Sequence, residues 1–187
     1  HPRLGPVRSG TGVDQPSIDA AEGSVWVTYT SDDSNGLEAR GAQVSALGTV
    51  AAFGPVQVIP GGKVMSFGDI AVGPDGQVAV VYQNNNGDEG PDTISGNLDP
   101  DGLGPLGFGK QVKITKTNVG AFDFIPPQNG RSIDAEANLA WDRSDGPHGG
   151  RLYLAYADET KNESSDVNLF VRTSDDGGLK WSTPLKV

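Results

Sequence analysis

Apolar residues along this chain fall in short runs of four to eight, broken by glycine, proline and aspartate. No window holds a 3.6-residue period, so the pattern predicts strands and turns rather than helices. The runs fall into three units, each of four short strands termed a, b, c and d. The first unit reads Gln15–Ala20, Val25–Thr30, Leu37–Ser45 and Gly54–Ile59. The second reads Phe67–Val72, Gln77–Tyr82, Asp92–Leu98 and Gly109–Ile114, and the third Glu136–Trp141, Arg151–Tyr156, Val167–Arg172 and Trp181–Lys186. Val25, Val78 and Leu152 are matching points in strand b, separated by 53 and 74 residues.

Strand b is apolar at nearly every position, as in Val78-Ala-Val-Val-Tyr82. A strand covered on both faces reads this way. Strand d carries Lys or Gln between apolar residues, which suits a solvated edge. Gly73-Pro-Asp-Gly76 supplies a tight a–b turn. A four-stranded unit of roughly 40 to 50 residues, repeated, is the signature of a propeller blade. The expected fold is therefore all-β: a partial β-propeller of about three four-stranded antiparallel blades, completed by another segment or a second copy. The boundaries expected are 13–60, 61–117 and 118–187 for the blades. Residues 1–12 are expected to be the outer strand of a preceding blade or a tail, because Leu4-Gly-Pro-Val-Arg8 resembles Phe53-Gly-Pro-Val-Gln57.

The last unit carries a more specific pattern. Ser174, Asp176, Gly178 and Trp181 follow Ser-x-Asp-x-Gly-x-x-Trp between strands c and d. This resembles the Asp-box of sialidase-like (BNR-repeat) β-propellers, where the motif occupies the same hairpin. The resemblance implies a structural role, with short polar side chains bonding turn amides. Asp99-Pro-Asp-Gly102 keeps part of the pattern without the Trp, and Ser45-Ala-Leu-Gly48 is more degraded.

The resemblance also implies a chemistry to look for: three arginines, a Tyr–Glu nucleophile pair and an acid/base Asp. The chain lacks the Arg-Ile-Pro motif of those enzymes. Of its arginines only Arg131 stands before an inner strand, while Arg40 and Arg172 fall in strand c. Glycoside hydrolysis needs two carboxylates. Asp14, Asp69, Asp134 and Glu136 are near inner strands, and Asp69 aligns with Ser17 and Asn138. Asp69, Asn138, Arg131, Asp134 and Glu136 are thus candidates to line a central channel, or simply face water there.

The 187 residues include 14 Lys and Arg against 24 Asp and Glu, a formal charge of −10. No basic cluster offers a phosphate-binding surface, so nucleic acid is not an expected partner. Nor is a membrane span, since no apolar run approaches about 18 residues. There is no cysteine, which excludes disulfides and thiolate chemistry. His1 and His148 have no metal-spaced partner, and no Gly-x-Ser-x-Gly, phosphate loop or dinucleotide fingerprint occurs. Calcium is the one cofactor the acidic loops suggest, through Asp158 and Asp166 or Asp99 and Asp101, with Asn84–Glu89 also rich in oxygen. Solvated turn residues explain the same pattern. Asn162-Glu-Ser164 is a formal glycosylation acceptor.

A chain starting at His1 with no signal peptide reads as processed or clipped. The sequence leads to the expectation of a non-catalytic extracellular module, bacterial in origin, that binds carbohydrate or protein or acts as a scaffold. A glycoside hydrolase whose site is shared with other blades is the first alternative. A structural surface or filament protein is the second.

Overall fold

The computed structural model describes residues 12–46, 48–61, 64–84, 89–126, 130–164 and 166–187. Leu4–Arg8 and most of the Asn84–Glu89 loop lie outside the described residues. Thirteen strands form three antiparallel sheets, and no α-helix occurs among the described residues. The first sheet contains β1 (Val13–Ala21), β2 (Ser24–Ser31), β3 (Gly36–Ala46), β4 (Thr49–Val50) and β5 (Gln57–Val58). The second contains β6 (Met65–Val72), β7 (Val78–Asn84), β8 (Asp92–Asp99) and β9 (Val112–Thr117). The third contains β10 (Asn138–Trp141), β11 (Leu152–Asp158), β12 (Asn168–Ser174) and β13 (Leu185–Lys186).

The second and third sheets are meanders in which consecutive strands pair, as are β1 to β4 of the first, where β5 also pairs with β3. The innermost strands β1, β6 and β10 come together, with β6 between the other two. This is the radial arrangement of a propeller, and the chain is a partial β-propeller of three blades.

Outer strands depart most from the sequence pattern. In the first blade, strand d is split into β4 and β5, both against β3. Between them the edge is held irregularly, by Ala51 N–H to Gln43 C=O and by Gly54 N–H to Gly41 C=O, both 2.9 Å. In the third blade only Leu185 and Lys186 are regular strand, because Pro184 has no N–H to give to the ladder. Ser182 N–H nevertheless reaches Thr173 C=O at 2.8 Å.

The core lies between blades. Trp26, Leu37, Ala39 and Ile59 of the first blade pack on Met65, Ile70, Val72, Val78, Val80, Tyr82 and Phe108 of the second. Val81 and Ile94 then pack on Leu154 and Tyr156 of the third. Consecutive residues Val78 to Gln83 are all buried, since β7 has a blade on each side. The buried Gln83 ties the second blade to the loop before β10. Its Nε2–H donates to Val119 C=O, and its Oε1 accepts Ala135 N–H, both at 3.1 Å.

The Asp-box hairpin is a closed hydrogen-bond unit. Ser174 Oγ–H donates to Asp176 Oδ1 (2.9 Å) and accepts Gly178 N–H (2.8 Å). Asp176 Oδ1 accepts Lys180 N–H at 2.8 Å and Leu179 N–H at 3.1 Å. These amides, the Lys180 one foremost, hold the Asp176 carboxyl below its ordinary range. Trp181 Nε1–H donates to Gly178 C=O at 2.9 Å, closing the turn. Gly177 and Gly178 have φ of 74° and 92°, a region that disfavours side chains. In the second blade Asp99 stands at the register position of Ser174, opposite Val78 as Ser174 is opposite Leu152. Its Oδ1 accepts the N–H groups of Gly102 (2.9 Å) and Asp101 (3.2 Å).

Candidate functional site

The three inner strands begin alike. Gln15, Phe67 and Glu136 occupy equivalent positions and have φ of 51°, 54° and 44°. Non-glycine residues seldom adopt this left-handed backbone, and such strain concentrates at sites where surrounding structure over-determines it. In β1 and β6 the same point carries a register shift, between Asp14 and Ser17 and between Ser66 and Asp69. A bulge of this kind re-aims the side chains beside it.

Two residues further on stand Ser17, Asp69 and Asn138. They share one pocket of about 280 Å³ with Gln15, Pro16, Phe67, Gly68, Glu136 and Ala137. Its walls thus come from all three blades. The volume lies at the lower end for small-ligand pockets.

Hydrogen bonds between blades fix this rim. Gln15 Oε1 accepts Phe67 N–H at 2.9 Å. Asp69 is the hub: one carboxylate oxygen accepts the Ser17 hydroxyl and the other the Leu139 N–H at 2.7 Å. A single side chain of the second blade therefore holds the first and third. At the far end of the inner strands Asp19 Oδ2 accepts Val72 N–H at 2.8 Å and pairs with Arg143, whose Nε–H reaches Val72 C=O at 2.8 Å.

Behind the rim Asp134 is buried, and its Oδ1 accepts Glu136 N–H at 2.6 Å. Burial raises its carboxyl to about 6, with Glu136 adding charge repulsion and its N–H partly opposing. Glu136 is exposed and faces the pocket. Two carboxylates, Asp69 and Glu136, therefore share one concavity, with a third, Asp134, adjoining Glu136. Arg131 is exposed in the loop before β10 and is not among the lining residues.

The other acidic candidates accept hydrogen bonds from nearby turns and connections. Asp158 Oδ1 accepts Asn118 N–H at 2.7 Å. Asp166 accepts both hydroxyls of Thr160 and Ser164 together with Thr160 N–H, which hold its carboxyl down at about 2. Asp101 accepts Leu106 N–H at 3.3 Å. Asp99 is raised to about 6, by burial first, with the Asp101 and Gly102 amides opposing. Arg40 caps Gly54 C=O at 2.9 Å, and Arg172 bonds Thr115 Oγ1 and Ser182 C=O. Both belong to outer blade structure. A second cavity of about 280 Å³ lies near the Asp-box, walled by Val80, Leu98, Ile114, Leu139, Leu152 and Trp181. It has no carboxylate, so the chemistry points to the central pocket.

The buried acids give a pH dependence. Between about pH 4 and 6 the native chain keeps protons on Asp134 and Asp99 that the unfolded chain has released. Stability should therefore fall as pH rises through that window. Asp166, with its low value, titrates below it. Denaturant melts at pH 4.5 and 6.5 should show the fall, and Asp134→Asn should reduce it by the Asp134 share. Stability that rises across the window would contradict the assignment.

The fold and site define a partial β-propeller with a carboxylate-bearing pocket at the axis. No protein-family model matches the sequence, and no curated protein does. Solved structures do match. An α-L-arabinanase of Penicillium chrysogenum complexed with arabinobiose superposes with a TM-score of 0.61 at 12% identity, covering 93% of this chain and 49% of that one. A GH93 α-L-arabinofuranosidase of Fusarium graminearum, also with arabinobiose, gives 0.57 at 13%, covering 93% and 48%. An α-L-arabinofuranosidase of Clostridium thermocellum gives 0.53 at 16%, covering 95% and 52%.

The chain spans about half the length of these enzymes. At such identities the likeness establishes the fold. It also corrects the expectation of a non-catalytic module, because these three propeller neighbours are all arabinose-releasing or arabinan-acting enzymes by name. That expectation rested on the missing arginines of a sialidase, while the aligned positions Ser17, Asp69 and Asn138 are ones that the structure brings into one pocket.

Proposed function

We propose that this chain forms part of a propeller glycoside hydrolase acting outside the cell on an arabinose-containing glycan. The observation that carries the proposal is the pocket shared by three blades, in which Asp69 and Glu136 both stand. Hydrolysis of a glycosidic bond uses one carboxyl group to protonate the leaving oxygen and another to attack or to activate water. Glu136, exposed on a strained backbone, is the residue placed to act on the substrate. Asp69, fixed by Ser17 and Leu139, is the second carboxylate. Asn138 and Gln15 supply amide groups suited to sugar hydroxyls.

Further support comes from aromatic surface. Phe67 lines the pocket, and Phe122 packs edge-on against it at 6.3 Å while staying 46% exposed. Such a face suits the C–H side of a sugar ring. The arabinose class rests on the named neighbours, and the resemblance to sialidase-like propellers is carried as shared architecture. The test is hydrolysis of aryl α-L-arabinofuranosides, arabinan and α-sialosides by the propeller with all its blades. Release of arabinose that is lost in Asp69→Asn supports the proposal. Sialic acid release alone, or no hydrolysis of any of them, refutes it.

A further inference from the structure

Asp123 is a carboxylate without a counterpart. It is 1% exposed, and neither of its oxygens has a hydrogen-bond partner. Its backbone is pinned by paired bonds with Ile133, at 3.0 and 2.7 Å, so the side chain cannot easily turn out to water. The nearby Gly120 N–H draws the carboxyl down a little, but it is committed to Glu89 C=O at 2.6 Å. A buried charge with no partner is expensive.

Its neighbours deepen the problem. The charges that bear on Asp123 are those of Glu159, Glu163 and Glu89, all of its own sign. Neither ion pair among the described residues, Arg143–Asp19 or Arg151–Asp175, includes it. Three connections converge there: the one leading into β8, the one between β9 and β10, and the one between β11 and β12. They are stitched together by Glu89–Gly120 and by Asn118 Nδ2–H to Glu159 C=O at 2.8 Å, while within the last of them Ser164 N–H donates to Glu159 Oε2 at 3.2 Å. In an antiparallel meander all three connections emerge at the end where the inner strands begin, the end that holds the central pocket.

We infer that this junction binds a divalent hard cation of the calcium class, with the Asp123 carboxylate as its central ligand and Glu159 and Glu163 beside it. Calcium accepts six to eight oxygens in flexible geometry, carbonyls and water included, so a few carboxylates suffice. Among the described residues no three such side chains are already gathered around an ion position. The cation therefore draws the loops together rather than entering a finished cage. Bound there, it neutralises the buried carboxylate and locks the loops that border the pocket. Asp123, with both oxygens unpartnered, differs from Asp158, Asp166 and Asp101, whose carboxylates already serve amides and hydroxyls, and from Asp99, whose Oδ1 does so while only its Oδ2 has no partner.

The test is thermal unfolding of the chain after EDTA dialysis, with CaCl2, MgCl2 or matched NaCl added back. Calcium should raise Tm saturably, by about 5–10 °C at a hundredfold excess over Kd. Magnesium should do less, since it demands a tighter octahedron. Asp123→Asn should lose the calcium response while melting in EDTA at or above the wild-type temperature, because repulsion is relieved. Should that variant fail to fold, Glu163→Gln, on an exposed residue, should move the calcium midpoint upward by about tenfold. A wild-type Tm that calcium shifts no more than sodium does, a full response retained by Asp123→Asn, or an unmoved midpoint in Glu163→Gln would each overturn the inference.

Discussion

Glu136→Gln should lower kcat/KM for an arabinofuranoside by about 10²–10⁴-fold, the usual contribution of a proton-transferring group. The replacement keeps the size of the side chain and removes its charge and its proton. Glu136 is exposed, so folding should be unaffected within about 0.5 kcal/mol. Its backbone sits at φ 44°, matched by Gln15 and Phe67 in the other two blades. The second blade spends that position on an aromatic ring and the first on an amide; only the third puts a carboxylate there. An activity loss below about threefold, measured on folded protein, would remove Glu136 from the chemistry.

The second large effect falls on stability. Trp26→Ala should cost about 3–5 kcal/mol, the range for deleting a buried aromatic side chain. Trp26 is 1% exposed and meets Phe108 edge-on at 6.0 Å. It belongs to the cluster that joins the first two blades, so its loss opens a void between sheets rather than inside one. The ring also abuts β3, where a Cβ on Gly41 would sit 2.4 Å from Trp26 Cε2, so that glycine is set by close approach. Tm should drop on the order of 10 °C. Thermal unfolding checks this, and a shift under about 3 °C would show that the blades are not held by this cluster.

Much of the architecture was legible from runs of apolar residues. Strands a, b and c show themselves because they are long and, in β7, covered on both faces. Strand d was also placed in each unit, but in the first and third blades its regular part shrinks to pairs of residues, since its hydrogen bonds are irregular around Pro55 and Pro184. The polar position shared by Ser17, Asp69 and Asn138 was visible once the repeats were laid over one another. The left-handed backbone at Phe67 and Glu136 was not, because nothing in local preference selects those residue types for it. Asp123 gave no sign either. It follows a small apolar run and sits between Phe122 and Phe124, while the acids around it come from loops some 35 residues away on either side. Only tertiary structure brings them together.

The most direct test is a crystal structure of the Glu136→Gln propeller, with all its blades, in complex with an arabino-oligosaccharide. A sugar ring seated among Ser17, Asp69, residue 136 and Asn138, its apolar side toward Phe67, is the predicted result. A sugar bound on the outer rim, or a central pocket left empty at saturating ligand, would contradict it.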